Sequence, residues 1–319
     1  MRAIVVPAFG GSSVLDYAEV PDPVPGPGEV LVDVAAAGVN YIDVYHREGR
    51  YPLPLPMVPG SEGAGTVSQV GPGVTDVVVG DRVGWVSVPG AYAEKAVIPA
   101  ASAIPLPAGV SPEQAAAVLL QGLTAHYLTT STYPIRPGDT VLVHAAAGGM
   151  GLLLTQLARL HGARVFGTVS SEAKERMARE AGAEEVFGYD DFAKRVRELA
   201  PEGLPVVYDG VGATTFDGSL ASVRPLGMLV VYGAASGPVP PFDLQRLNQA
   251  GSVFLTRPSL GPYIATREEL LRRSADVLGW TASGQLDVHV FARLPLAEAQ
   301  RAHDDLEGRK TVGKLLLIP

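Results

Sequence analysis

Val141-Leu142-Val143-His144-Ala145-Ala146-Ala147-Gly148-Gly149-Met150-Gly151 reads as an apolar strand that runs into a glycine-rich turn, and an apolar-faced helix from about Met150 to His161 follows at once. Glycine lets the backbone turn tightly and approach a diphosphate, while the N–H groups and positive end of the following helix attract it. Gly148 and Gly151 hold the second and third glycine positions of such a turn, with Ala146 where the first is usual. Glycine also marks ordinary tight turns, so the surroundings decide. Downstream, apolar runs at Arg164 to Val169, Val186 to Tyr189, Val206 to Val211, Met228 to Gly233 and Ser252 to Arg257 alternate with helical patterns at Ser171 to Ala181, Phe192 to Leu199 and Phe216 to Val223. With the first run, Thr140 to Ala147, they predict an α/β fold with a doubly wound parallel sheet of six strands. Its first loop would bind a nucleotide through Ala147, Gly148, Gly149, Met150 and Gly151.

The end of the second strand discriminates between coenzymes. Enzymes that use NAD place an acid there to accept the ribose hydroxyl, whereas here the strand ends Gly167-Thr168-Val169-Ser170-Ser171. A carboxylate roughly 4 Å from a phosphate charge would cost about 4 kcal/mol at an effective dielectric of about 20, so its absence favours the 2'-phosphate of NADPH. Ser170 and Ser171 can donate hydroxyl hydrogen bonds, Lys174 lies one turn into the next helix, and Tyr189 ends the third strand. Glu172 also follows, but in the first helical turn, where an acid stabilises the dipole. Lys174 alone reads equally well as a solvated helix lysine.

Upstream of about Ala101 the rhythm differs. Short β-branched runs (Val30 to Val34, Thr66 to Val70, Val77 to Val79, Ala96 to Ile98) are broken by Gly or Pro, which predicts a small antiparallel β domain. Ser111-Pro112-Glu113-Gln114 then starts a long helix reaching about Thr129, and Thr266-Arg267-Glu268-Glu269 starts another reaching about Ser283. The closing segment, ending Lys314 to Ile318, is too short to fold alone and is expected to return to the first domain. A length of 319 residues suits two domains, and 47% hydrophobic with 18% charged residues suits a compact protein. The net charge of -8 argues against nucleic acid as the main partner. The longest mostly apolar run, Val141 to Leu154, is interrupted by His144 and glycines, so neither a membrane span nor a signal peptide is expected.

Cysteine is absent, which removes disulfides, thiolate nucleophiles and sulfur-ligated zinc, and fits a reducing compartment. Zinc catalysis needs three protein ligands and an open position. None of the six histidines (His46, His126, His144, His161, His289, His303) pairs with another at the spacing of a local site, so no metal is expected. No nucleophile-elbow pattern surrounds any serine.

Gly38-Val39-Asn40-Tyr41-Ile42-Asp43, Pro59-Gly60-Ser61-Glu62-Gly63-Ala64-Gly65, Gly80-Asp81-Arg82-Val83 and the His144 to Gly151 turn together resemble the medium-chain dehydrogenase/reductase superfamily, and within it the zinc-free NADPH:quinone oxidoreductases. The likeness extends over essentially the whole chain, including Gln121-Gly122-Leu123-Thr124-Ala125 and Thr256-Arg257-Pro258-Ser259-Leu260. It implies a GroES-like β domain over 1–120, completed by 258–319, and a Rossmann domain over 121–257. In the zinc alcohol dehydrogenases of that superfamily a cysteine stands where Asn40 does and a His-Glu pair where Ser61-Glu62 does; the four-cysteine lobe has no counterpart between Gly84 and Ile98. The resemblance therefore implies loss of both metals.

Within the quinone reductases, the residues facing the acceptor fall on Asn40, Tyr45, Tyr51 and Arg257, and the 2'-phosphate contacts on Ser170, Lys174, Tyr189 and Arg309. Thr124, Tyr232 and Gly233 match positions along the coenzyme. The implied reaction is hydride transfer from NADPH to a quinone in an interdomain cleft: Asn40 orients the ring or the substrate oxygen, the two tyrosines form an aromatic wall, and Arg257 offsets negative charge. A quinone is already electrophilic, so positioning can replace a Lewis acid. Reduction of an enone or enoyl thioester is the alternative among enzymes, and a crystallin-like structural or RNA-binding role the alternative outside them. The resemblance also implies a cytoplasmic homodimer joined along the sixth strand, Ser252 to Arg257.

Overall fold

A computed structural model describes residues 1–319. The chain forms two compact units, Met1–Leu123 with Tyr263–Pro319, and Thr124–Pro262.

The first unit begins with strands β1 (Arg2–Val5), β2 (Asp16–Glu19) and β3 (Glu29–Val39), then helix α1 (Tyr41–Arg47), strands β4 (Glu62–Val70), β5 (Arg82–Val86), β6 (Lys95–Pro99) and β7 (Ile104–Pro105), and helix α2 (Pro112–Tyr127). The centre of its sheet is β3, which pairs antiparallel with β4 and with β6. Along it Val30, Val32 and Val34 alternate into an apolar core shared with Val67, Val83, Trp85 and Ile98. Val77 to Val79, expected as a strand, is instead a loop with Val78 and Val79 exposed. The Asp81 carboxylate accepts from the Val78 backbone N–H, and Gly80 at φ +95° turns the chain, so turn chemistry overrides β-propensity. The start of α2 is as expected: Ser111 Oγ accepts from Gln114 N–H, and Gln114 Oε1 from Ser111 N–H.

The second unit contains β8 (Thr140–Val143), α3 (Gly149–Leu160), β9 (Arg164–Thr168), α4 (Glu172–Glu180), β10 (Glu185–Phe187), α5 (Phe192–Leu199), β11 (Leu204–Asp209), α6 (Phe216–Ser222), β12 (Val223–Val231), α7 (Gln245–Gln249) and β13 (Phe254–Thr256). The strands are parallel and lie in the order β10-β9-β8-β11-β12-β13, the doubly wound arrangement. Central β8 and β11 are buried on both faces, which is why their sequences are apolar runs without alternation.

After α8 (Leu260–Tyr263), the chain forms α9 (Arg267–Ala282), β14 (Val290–Pro295), α10 (Ala299–Glu307) and β15 (Lys314–Ile318). Thr266 caps α9 by accepting from Glu269 N–H. The closing segment completes the first unit's sheet: β15 runs antiparallel to β3 with Leu315 opposite Val39 and Leu316 opposite Gly38. The one parallel pair in that sheet is β14 with β15, a departure from the purely antiparallel pattern expected. No helix is long and apolar enough to cross a membrane.

Candidate active site

In the second unit, β8 ends at Val143, and the chain turns through Ala145, a non-glycine residue at φ +51°, before α3 begins. The Ala145 carbonyl accepts from Gly148 N–H at 2.8 Å, closing the turn. Gly148 caps α3 without any side-chain hydrogen bond, so no side chain of its own cap neutralises the positive helix end. A Cβ on Gly151 would overlap the Ala145 carbonyl oxygen and crowd the Ala146 Cα, so the helix can approach the turn this closely only with glycine there. The first backbone N–H groups of α3 follow this turn directly, with Ala147 and Gly151 buried and Gly148, Gly149 and Met150 partly exposed. These residues fit a nucleotide diphosphate.

Where β9 ends, Ser170 and Ser171 are exposed, and Ser171 Oγ accepts from Lys174 N–H at 3.4 Å as the cap of α4. Glu172 lies in the first turn of that helix, where its charge meets the dipole. Lys174 is half-buried. Tyr189, past β10, lies nearly parallel to the His144 ring with centroids 6.4 Å apart. Tyr232 and Gly233 form the turn after β12, and both backbone N–H groups point to the Asp209 carbonyl, at 2.9 and 3.4 Å. Thr124 is half-buried within α2, and Arg257, just past β13, is exposed.

In the first unit, Asn40 precedes α1 and is buried. Its Nδ2 donates to Glu62 Oε2 at 2.9 Å and to the Gly38 carbonyl at 3.2 Å, while its Oδ1 accepts from Lys314 Nζ at 2.7 Å and Gln121 Nε2 at 3.3 Å. Both donors and both lone pairs of the amide are thus engaged inside the fold. In this arrangement Asn40 braces the loop and has no donor left for a substrate oxygen. Lys314 also donates to Glu62 Oε2 at 2.6 Å, and Glu62 Oε1 accepts from Leu120 N–H at 2.7 Å. Gly38 has no room for a side chain because a Cβ would overlap that carboxylate and the Ala116 carbonyl.

Asp43 sits beside this cluster, fully buried, accepting from the backbone N–H groups of Asn40 and Ser61 and from the Tyr92 hydroxyl. Burial pushes its carboxyl up to about 6 against the pull of those hydrogen bonds and of Lys314. The Tyr92 oxygen meets His303 Nε2 at 3.2 Å, and His303 Nδ1 meets Arg47 Nη1 at 3.1 Å. Arg47 only donates, so Nδ1 accepts and the chain of bonds runs Arg47 to His303 to Tyr92 to Asp43. Burial and the neighbouring Arg47 charge push His303 down to about 3. On the other side of α1, Tyr45 packs edge-on to Tyr51 with centroids 5.7 Å apart, Arg50 lies over the Tyr45 ring, and Tyr51 is exposed. Arg309, at φ +55° beyond α10, is exposed.

Sequence reasoning missed Lys314, Asp43, Tyr92 and Asp209. The legible signal for Lys314 was a lone cation opening an otherwise apolar strand, and for Asp209 an acid closing an all-apolar one.

The profile of the alcohol dehydrogenase GroES-like domain matches residues 26–108, and that of a zinc-binding dehydrogenase matches residues 149–273. Quinone oxidoreductase of Pseudomonas aeruginosa is 46% identical over 323 residues, spanning 100% of this chain and 99% of that protein. A mycobacterial protein complexed with NADPH is 54% identical with a TM-score of 0.98, and Escherichia coli quinone oxidoreductase complexed with NADPH is 44% identical with a TM-score of 0.97; each pairing covers 100% of both chains. The zinc in the second profile's description does not fit the residues present. Glu62 and Asn40 already hold a buried ammonium, which would repel a second cation, and no three His, Cys, Asp or Glu side chains are grouped to hold a metal. With a six-stranded doubly wound parallel sheet, a glycine turn at the head of α3 and full-length identity of this order, the chain belongs to the quinone oxidoreductase family of the medium-chain dehydrogenase/reductases.

Proposed function

We propose that this protein reduces quinones with NADPH, in the cytoplasm and as a homodimer. The observation that carries the coenzyme reading is the glycine turn at the head of α3 combined with the carboxylate-free end of β9. Backbone N–H groups of Gly149, Met150 and Gly151 at the head of α3 would hold the diphosphate, and Ser170, Lys174 and Tyr189 would take the 2'-phosphate. Bound NADPH supplies the hydride. The chain's own contribution is to bind, orient and exclude: Tyr45 and Tyr51 would offer a quinone an aromatic wall, and solvent beside the exposed Tyr51 would supply the proton that the reduced quinone takes up with the hydride. The Lys314–Glu62–Asn40 cluster provides no donor set for a Lewis acid, and an electrophilic quinone requires none.

The test follows reduced-nicotinamide absorbance with NADPH or NADH against a quinone, an enone, and an alcohol with the oxidised coenzyme, each with and without chelator. NADPH consumption with the quinone, indifferent to chelator, is expected. Dependence on metal or turnover of the alcohol alone would refute the reading, a preference for the enone would move it to alkene reduction, and absence of any turnover would favour a structural role. Recovery of the activity in the membrane fraction of the source cells would contradict the compartment.

A further inference from the structure

His144 stands between β8 and the glycine turn, entirely buried, and neither metal binding nor hydride transfer employs it. Its Nδ1 lies 2.8 Å from Thr168 Oγ1 and its Nε2 2.9 Å from Ser219 Oγ. Ser219 Oγ in turn donates to Asp209 Oδ2 at 2.7 Å, and the Ala145 backbone N–H points to Thr168 Oγ1 at 3.3 Å. Asp209 is buried; its Oδ1 accepts from Val211 N–H and Gly212 N–H, and the Thr215 hydroxyl is shared between Oδ2 at 2.7 Å and Oδ1 at 2.9 Å.

One charge state orders this whole chain. An ionised Asp209 only accepts, so the single Ser219 proton goes to it and Ser219 must accept from His144 Nε2–H. Nδ1 is then bare and accepts the Thr168 proton, which leaves the Thr168 oxygen free to accept Ala145 N–H. Burial holds the imidazole below its ordinary range against the Asp209 charge, consistent with a neutral ring. Phe192, edge-on at 4.7 Å, and the parallel Tyr189 ring fix its plane. At the end of this chain is Ala145, whose left-handed backbone persists only where its surroundings over-determine it. Thr168 also holds the next residue through its carbonyl, to Ala146 N–H, and the Asp209 carbonyl anchors the Tyr232–Gly233 turn.

We infer that His144 is a positioning residue for the coenzyme: a neutral imidazole locked as the Nε2–H tautomer, which ties the glycine turn to buried Asp209 and so sets where the diphosphate-binding N–H groups point. This rests on the glycine turn being the coenzyme's diphosphate site. Tautomer and affinity are read separately. In nitrogen-labelled protein at neutral pH, long-range proton–nitrogen correlation is expected to show Nε2 protonated and Nδ1 bare. His144→Phe, which keeps a planar aromatic ring and cuts both bonds, is expected to raise the Kd for NADPH by roughly tenfold or more while kcat at saturating coenzyme changes less than about threefold. His144→Asn, which can still accept from Thr168, should recover part of that loss. Thr168→Val cuts the same link from the other side and serves if His144→Phe fails to fold. An Nδ1–H tautomer or imidazolium at neutral pH overturns the inference, as does wild-type affinity in both His144→Phe and Thr168→Val. Wild-type protein that binds no NADPH overturns instead the coenzyme reading beneath it.

Discussion

Lys314 shows how much one residue can decide. It is the first residue of β15, which register places beside the end of β3, and its ammonium lies between the Asn40 amide and the Glu62 carboxylate with all three side chains buried. Removing one partner of such a pair strands the other charge, at a cost of about 3–5 kcal/mol. Lys314→Met is therefore expected to lose about that much stability in urea unfolding, whereas Lys314→Met with Glu62→Gln, which removes both charges, should recover more than half. Losses that simply add in the double variant would show that the two residues are not coupled. Little of this was legible beforehand. Sequence reading places Ser61-Glu62 where zinc-binding relatives have a His-Glu pair and takes Lys314 as the start of a strand; only the antiparallel pairing of β15 with β3, which spans the length of the chain, brings them together.

At the scale of elements, the sequence was most legible where one physical signal dominated. The buried strands of the second unit are continuous apolar runs, and the helix starts at Ser111 and Thr266 carry their own caps, so these were recognisable without tertiary knowledge. Val77 to Val79 misled because three valines resemble a strand until the Asp81 side chain captures the Val78 N–H. The last strand of the second unit, β13, bears on partners. It is the edge of its sheet, only three residues long, and Phe254 on it is 59% exposed. An exposed aromatic on an open edge suits pairing with a second copy about a twofold axis. Phe254→Lys should weaken self-association about 30-fold by sedimentation, as loss of an interface anchor does. A wild-type chain that sediments as a monomer at all accessible concentrations would end the dimer proposal.

At the scale of the whole molecule, the two units carry their buried titratable groups differently, and acid should separate them. His144 in the second unit is pushed down to about 4, so the folded unit binds fewer protons than the unfolded chain below the ordinary histidine range of 6.5. Its contribution is complete above that range and is lost as pH falls towards about 4, with a slope of about 1.4 kcal/mol per pH unit and a total of about 3 kcal/mol. In the first unit His303, pushed down to about 3, acts with the same sign, but Asp43, raised to about 6 from 3.8, acts with the opposite one: the folded state takes up that proton first, so falling pH favours folding across the same window. The two oppose each other between about pH 6 and 4, while half-buried His46, held low by burial, adds to the His303 side. Exposed Glu184 is held low by Arg164, and this pair is screened by solvent. Both tryptophans, Trp85 and Trp280, lie in the first unit, so their fluorescence follows it alone, while far-UV circular dichroism follows both. Between pH 7 and 4.5 the thermal transition seen only by circular dichroism should fall, and the tryptophan transition should fall less. His144→Phe, which has no proton to gain, should narrow the difference, leaving what half-buried His161, held low by burial, contributes in the same unit. Equal acid shifts by both probes would mean that His144 does not control the acid stability of the nucleotide-binding unit.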